Sequence, residues 1–403
     1  MRTSWIALAL VLGCAVAAAA VEVTLKDAGN MRLQVYGYVK ADLSYDTQNA
    51  TPGDFTFYVL PEVNGEKDPQ THLAARESRF GLNVFGPDSD NWKTLGKIEM
   101  DFYGGGNPNS YNPRIRLAYV DLANTQGLSF RLGQDWDTFC EITSRIVNFG
   151  YLADAGALGL RRPQGRVTQE IKFSDRSKLV LKAAVAQTVG QDLDGGGQDD
   201  GADADLPTAQ FNVALHQKLW TDKAARIGVS GHYGVETVDG TTKSASTNAS
   251  GVVTESTKVT DVDAKDYDSW SIQGNLYLPL CKIFALQGTV WQGANLDTYY
   301  GGIGQGVNVA LGEEITATGG FAQLLIDPTE KWSFSVGYAI DDPDDDDLSA
   351  GNRSKNEQVL ANAFYKVTAA VTAMAEYTHM VTDYKDQDDA VNDRVQVAMK
   401  YAF

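Results

Sequence analysis

From Leu33 to Tyr45 the odd positions read Leu33, Val35, Gly37, Val39, Ala41, Leu43 and Tyr45, and the even ones Gln34, Tyr36, Tyr38, Lys40, Asp42 and Ser44. A two-residue period of that length marks a strand with one apolar and one wet face. The period returns where Val229, Gly231, Tyr233 and Val235 alternate with Ser230, His232, Gly234 and Glu236. It returns again where Trp332, Phe334, Val336, Tyr338 and Ile340 alternate with Ser333, Ser335, Gly337 and Ala339. The last residues repeat it, with Val395, Val397, Met399, Tyr401 and Phe403 set against Arg394, Gln396, Ala398 and Lys400. Helical spacing is hard to find anywhere after the first twenty residues. Marking each alternating stretch predicts about sixteen strands, at 31–46, 76–86, 92–103, 113–123, 127–136, 165–174, 178–189, 207–219, 225–237, 267–279, 282–295, 315–327, 331–341, 356–367, 370–384 and 392–403. Short turns between them alternate with long polar loops at 47–75, 137–164, 190–206, 238–266, 296–314 and 342–355.

Past residue 20 no stretch approaches the ~20 apolar residues of a membrane helix, so any membrane crossing has to use strands. A sheet in hydrocarbon must close, because each unpaired N–H or C=O at an open edge costs several kcal/mol there. An even strand count, short turns at one end and long loops at the other predict an all-β, transmembrane antiparallel β-barrel. About sixteen strands leave an aqueous lumen. Trp92, Tyr103, Trp136, Trp220, Trp270 and Trp332 fall near strand ends, where an interfacial girdle would sit. Phe403 closes a final amphipathic strand, a mark of outer-membrane barrels. The soluble alternative, a large β-sandwich or propeller, would want a repeat, and none is found.

The first twenty residues, with Arg2, an apolar run over 5–16 and Ala18, Ala19 and Ala20, read as a secretory signal, so residues 21–403 form the barrel. A lipobox ending at Cys14 is the competing reading. Cys140 and Cys281 fall at opposite ends of the strand map, and no disulfide is expected between them. The formal charge of −18 rules out a general nucleic-acid binder.

The stretch 137–164 differs from the other loops in carrying Phe139, Ile142, Ile146, Val147, Phe149, Tyr151, Leu152, Leu158 and Leu160. That composition predicts a loop folded inward against the barrel wall that narrows the pore; a cap or a subunit contact is the alternative. Basic residues gather nearby, at Arg161, Arg162, Arg166, Lys172, Arg176, Lys178 and Lys182, with Arg161 and Arg162 placed on the inward loop. Parity adds Arg79, Lys97, Arg114, Arg116 and Arg131 to the inward face. The candidate pore-lining set is therefore Arg79, Lys97, Arg114, Arg116, Arg131, Arg161, Arg162 and Arg166. Cationic side chains along one wall lower the barrier for anions, and guanidinium forks suit carboxylates and phosphates. The alternative is that they pair with Glu99, Asp101, Asp135 and Glu170 and stiffen the wall. The acidic runs at 191–205 and 341–347 read as solvated loops and do not match a calcium loop. No metal or cofactor is implied. His72, His216, His232 and His379 are scattered, H-E-x-x-H and G-x-S-x-G are missing, and Gly302, Gly304 and Gly306 lack the strand and helix of a dinucleotide site, so no enzyme is expected.

In order, YGYVKADLSYD at 36–46, ARESRFGLNVFGP at 75–87, GKIEMDFYGGG at 96–106, NPRIRLAYVDL at 112–122 and FRLGQDWDTF at 130–139 resemble the DcaP-like trimeric porins. The resemblance weakens through the middle of the chain and resumes as barrel periodicity and the terminal Phe. It implies a sixteen-stranded trimeric outer-membrane channel that prefers anions, with small dicarboxylates as substrates, and it brings Arg79, Arg114, Arg116 and Arg131 toward the pore. Members often carry a helical segment before the barrel, whereas here the first strand starts at residue 31. Expected partners are outer-membrane lipid, lipopolysaccharide, small anionic solutes and two further copies of the chain. A closed-lumen barrel with a structural or adhesive role is the other reading; its mark would be a pore plugged by large ordered loops.

Overall fold

Strands that are apolar on one face can satisfy every backbone group in lipid only by closing on themselves, and in the computed structural model of the chain they do. The structure describes residues 21–25, 31–107, 110–193, 201, 204, 206–238, 241–247, 253–259 and 265–403. Residues 1–20, which the sequence reads as a signal, most of the acidic run at 191–205 and part of the loop 238–266 lie outside them.

Sixteen barrel strands are present among the described residues. They are β1 (Met31–Asp46), β2 (in two pieces, Gln70–Ala74 and Arg79–Phe85), β3 (Trp92–Asp101), β4 (Arg114–Asn124), β5 (Leu128–Trp136), β6 (Arg161–Ser174), β7 (Ser177–Ala186) and β8 (Thr208–Gln217). They continue as β9 (Ala225–Val238), β10 (Lys265–Pro279), β11 (Phe284–Ala294), β12 (Thr316–Ile326), β13 (Trp332–Pro343), β14 (Arg353–Lys366), β15 (Val371–Tyr384) and β16 (Ala390–Ala402). Each pairs antiparallel with the next, and β16 returns to β1 in a register running from Tyr38↔Ala402 to Asp46↔Arg394. Closure reaches the last residue, since Gly37 and Phe403 exchange both backbone hydrogen bonds at 3.1 and 3.0 Å. Beyond that point the segment Val21–Leu25 pairs with β1 in place of β16.

The predicted strands match these to within a few residues, with two informative exceptions. β2 begins at Gln70 and breaks at 75–78, where Glu77 turns inward to ion-pair with Lys40. β6 begins at Arg161, so Arg161 and Arg162 stand on the wall and not on the inward loop.

The molecule is inside-out relative to a soluble protein. Leu73, Leu132 and Val290 are 81, 73 and 70 % exposed, while Asn212, Ser230, Asn356, Thr378 and Asn392 are fully buried. Val290 stands proud because its register partners, Gly274 and Gly320, have no side chain.

The lumen is also fuller than the sequence suggested. The stretch 137–160 folds inward as expected, but so do two loops expected outside in water. The loop 47–69 carries the hairpin Ala50–Pro52/Thr56–Val59, whose Val59 packs with Met380 and Tyr384 of β15. The loop 295–315 buries Leu296, Tyr299 and Ile303. Polar composition concealed both, because few apolar residues suffice when wall residues such as Met380, Tyr384 and Trp291 help to cover them.

The long loops and short turns occupy opposite ends, and the short-turn end is expected to face the periplasm. In a Cys281→Ser background, Ala350→Cys should react with a membrane-impermeant maleimide on intact cells while Glu330→Cys stays unlabelled. Labelling of Glu330→Cys alone would reverse the orientation.

Candidate functional site

The inward loop 137–160 starts and ends at one latch. Asp137 and Leu160 exchange backbone and side-chain hydrogen bonds at 2.8 and 2.9 Å, and Arg162 ion-pairs with Asp137 at 2.9 Å. Its apolar residues then line up against the wall. Phe139 and Leu158 pack with Trp291, Leu296, Tyr299 and Ala317, and Ile146 and Leu152 pack with Phe321, Ala339 and Leu360. Gly156 permits the closest approach: with φ at 125° it lies so near Gly320 that a Cβ would meet its carbonyl oxygen at 2.2 Å. Trp291 Nε1 donates to Gly156 O at 2.8 Å.

The tip is fixed by charge. Glu376 of β15, 4 % exposed, accepts the backbone N–H groups of Val147 and Asn148 at 2.7 and 3.0 Å. Lys40 of β1 donates to Val147 O at 2.8 Å, and Arg145 reaches the Asp327 turn at 2.7 Å. Asn148 also donates to Thr56 O at 3.1 Å, tying the first inward loop to this one. Charge-assisted hydrogen bonds of this kind are the strong ones. The loop thus crosses the lumen and is held on both sides.

Between it and the wall of β2 to β6 lies a cavity of about 230 Å³ that reaches across to Gln273, Thr289 and Phe321 of β10, β11 and β12. Arg79, Arg114, Arg116 and Arg161 line it together with Phe55, Phe57, Trp136, Phe149, Tyr151 and Tyr300. Arg114 is bidentate on Asp101 at 3.1 and 2.9 Å; Arg116 reaches Glu99 at 3.1 Å and Asp101 at 2.8 Å. Arg79 stands 3.8 Å from Glu99 and donates to the Tyr151 hydroxyl at 3.1 Å. Arg161 has no carboxylate partner among the described residues; its guanidinium lies 4.8 Å from the Trp136 ring. Three guanidiniums thus share two carboxylates, and the fourth, Arg161, has none among the described residues.

The other four predicted residues lie elsewhere. Lys97 sits over the Tyr36 ring at 4.9 Å. Arg131 ion-pairs with Asp121 and, at 2.6 Å, with Asp135, which also holds Arg166 at 2.6 Å. Arg162, 1 % exposed, is stacked at 3.9 Å on Tyr299 and belongs to the latch. Trp136 and Tyr103, expected in the girdle, turn into the lumen, where Tyr103 stacks on Phe149 at 4.2 Å. Sequence reasoning also missed Glu376, Arg145 and Asp341. Asp341 opens an acidic run that reads as solvated, yet it is fully buried and accepts the N–H groups of Gly302 and Ile303, both at 3.2 Å.

A closed barrel with an apolar belt, a polar interior and a loop folded across its lumen defines an outer-membrane channel of porin type. Residues 6–387 match the family of Gram-negative porins, and the chain belongs to that family. It is similar in structure to the outer membrane channel DcaP of Acinetobacter baumannii, at 18 % identity and a TM-score of 0.70 over 93 % of this chain and 97 % of that one. It is likewise similar to an anion-selective porin from Comamonas acidovorans, at 15 % identity and a TM-score of 0.59 over 93 and 100 %. The trimer form of OmpT from Vibrio cholerae follows at 13 % identity and a TM-score of 0.54 over 93 and 99 %. At such identities the likeness is one of fold. No curated protein matches the chain by sequence.

The contact between the inward loops 137–160 and 295–315 carries a titratable group. Asp154, 4 % exposed, faces Gly304, and its carboxyl is pushed up to about 7 by burial, with Asp297 adding to the rise and Arg353 and the Gly304 N–H opposing it. Asp341 and Tyr300 complete its charged and titratable surroundings. A carboxyl raised in the docked loop favours docking only while it keeps its proton. The docked state therefore loses ground as pH rises from the ordinary carboxylate range to about 7 and is level above it. Open-channel current noise should rise as pH goes from about 4 to about 7 and level off above it, and Asp154→Asn should flatten that dependence. An unchanged pH profile in the variant would contradict this assignment.

Proposed function

We propose that this porin is an anion-preferring passage for small hydrophilic solutes, with small carboxylates, dicarboxylates among them, as the favoured class. The observation that carries the reading is Arg161, a lumen cation without a carboxylate partner among the described residues, beside three more guanidiniums and only two carboxylates. The chain's overall charge of −18 does not oppose this. Much of it falls in the acidic stretches 190–206, 238–266 and 342–355, which the sequence reads as loops in water, screened over a Debye length of about 8 Å, while the cavity arginines act on a solute at contact range. The structural neighbour from Comamonas acidovorans is an anion-selective porin, which supports the same reading. We further read residues 1–20 as a cleaved signal, the apolar belt as facing outer-membrane lipid and lipopolysaccharide, and the assembly as a homotrimer. The trimer form of the OmpT neighbour supports the last point.

A second reading has a specific observation behind it. Three loops enter the lumen, and a barrel plugged in this way would serve as a structural or adhesive protein.

Removing the unpaired charge tests the first reading. In planar bilayers Arg161→Ser should lower the anion-to-cation permeability ratio and weaken block by succinate. The expected change is roughly fivefold, from about 1 kcal/mol for one charge near 4 Å in water. Unchanged selectivity and block in the variant would remove the reading's main support.

A further inference from the structure

Next to the Arg161 cavity, whose lining includes Cys140 and Ile142 on either side of Glu141 and Gln273 of β10, the wall of β7 to β10 holds a second group of cations. Lys182 of β7 and Arg226 of β9 converge on one carboxylate, Glu141 of the loop. The fit is unequal. Lys182 is in direct contact with Glu141, whereas Arg226 Nη2 stands 3.5 Å from it. Arg226 is 6 % exposed; its Nη1 donates to Asn275 Oδ1, and its Nη2 is 3.3 Å from Asn212 Oδ1. Two donors are left over: Arg226 Nε and Asn275 Nδ2 are buried and have no hydrogen-bond partner among the described residues. Asn275 is itself only 4 % exposed.

Two cations against one carboxylate leave a positive surplus where Arg226 and Asn275 are nearly buried, and buried donors without acceptors are costly. An acceptor-only group with two oxygens answers both deficits. A carboxylate offers four lone-pair sites and no donor, so it can take Lys182, Arg226 and the amide together. Access is available on the loop side, where the side chains of Lys182 and Glu141 are 19 and 22 % exposed.

We propose that Lys182, Arg226 and Asn275 form a second carboxylate site, that Glu141 of the inward loop occupies it as a built-in competitor, and that a small carboxylate solute displaces Glu141 there. The proposal takes its ligand class from the reading above but does not depend on the Arg161 cavity. Occupied by solute, the site releases one of the side chains that tie this limb of the loop to the wall, beside the hydrogen bonds of Gln210, Asn212 and Gln273 to Thr138 and Phe139.

The test is calorimetric titration of the folded, detergent-solubilised protein with succinate, with neutral succinamide as control, for the wild type, Glu141→Gln, Glu141→Gln/Lys182→Gln and Arg161→Ser. Heat-modifiable gel mobility verifies that each variant is folded. Removing the competitor should tighten succinate binding about tenfold, the scale of one charge-assisted hydrogen bond. The double variant should lose that gain, and succinamide should not bind. Unchanged or weaker succinate binding by folded Glu141→Gln overturns the site, as does a gain that survives Lys182→Gln. Loss of binding in Arg161→Ser with no gain in Glu141→Gln would leave the Arg161 reading standing and this one refuted. The converse result would do the opposite.

Discussion

Everything in this molecule depends on the requirement that each backbone N–H and C=O in hydrocarbon find a partner within the protein. Closure of β16 on β1, carried to the terminal Phe403, meets it. Closure also fixes the faces. Once the apolar side of every strand is committed to lipid, the polar side has nowhere to go but the lumen, and the lumen becomes a place where charge can be arranged. Three loops then divide the space that the strands enclose. Their anchors are polar, as in Glu376 holding the loop tip through Val147 and Asn148, because the surface they land on is polar.

The arginines show how an enclosed lumen sorts its charges. A guanidinium taken out of water needs a partner. Arg114, Arg116, Arg131, Arg162 and Arg166 have found carboxylates and brace the wall or the latch. The remainder in the cavity is Arg161 against Trp136, and Arg79 at 3.8 Å from Glu99. The basic residues expected to act as a set thus divide into a bracing majority, Arg79 held more loosely by Glu99 and Tyr151, and Arg161 without a carboxylate among the described residues.

Alternation made the strands, their order and the odd composition of the stretch 137–164 legible, because lipid imposes a strict two-residue rule on each strand. It failed where the rule lapses. Trp136 and Arg161 are register partners at strand ends, with parity opposite to the inward Asp135 and Arg162, yet both line the cavity. Past the lipid boundary the chain turns as packing demands. Loop 295–315 buries Leu296, Tyr299 and Ile303 among glycines, too few and too spaced to form a period. Asp341 looked solvated because its neighbours are; only the approach of Gly302 and Ile303 gives it a partner.

One architecture admits two states, a channel narrowed by its loops and a barrel closed by them. The wild-type protein in a planar bilayer under a tenfold gradient of potassium chloride separates the two most directly. An anion-preferring channel gives discrete conductance steps whose reversal potential has the sign of chloride preference. The absence of steps, or a reversal potential of potassium sign, would contradict that reading.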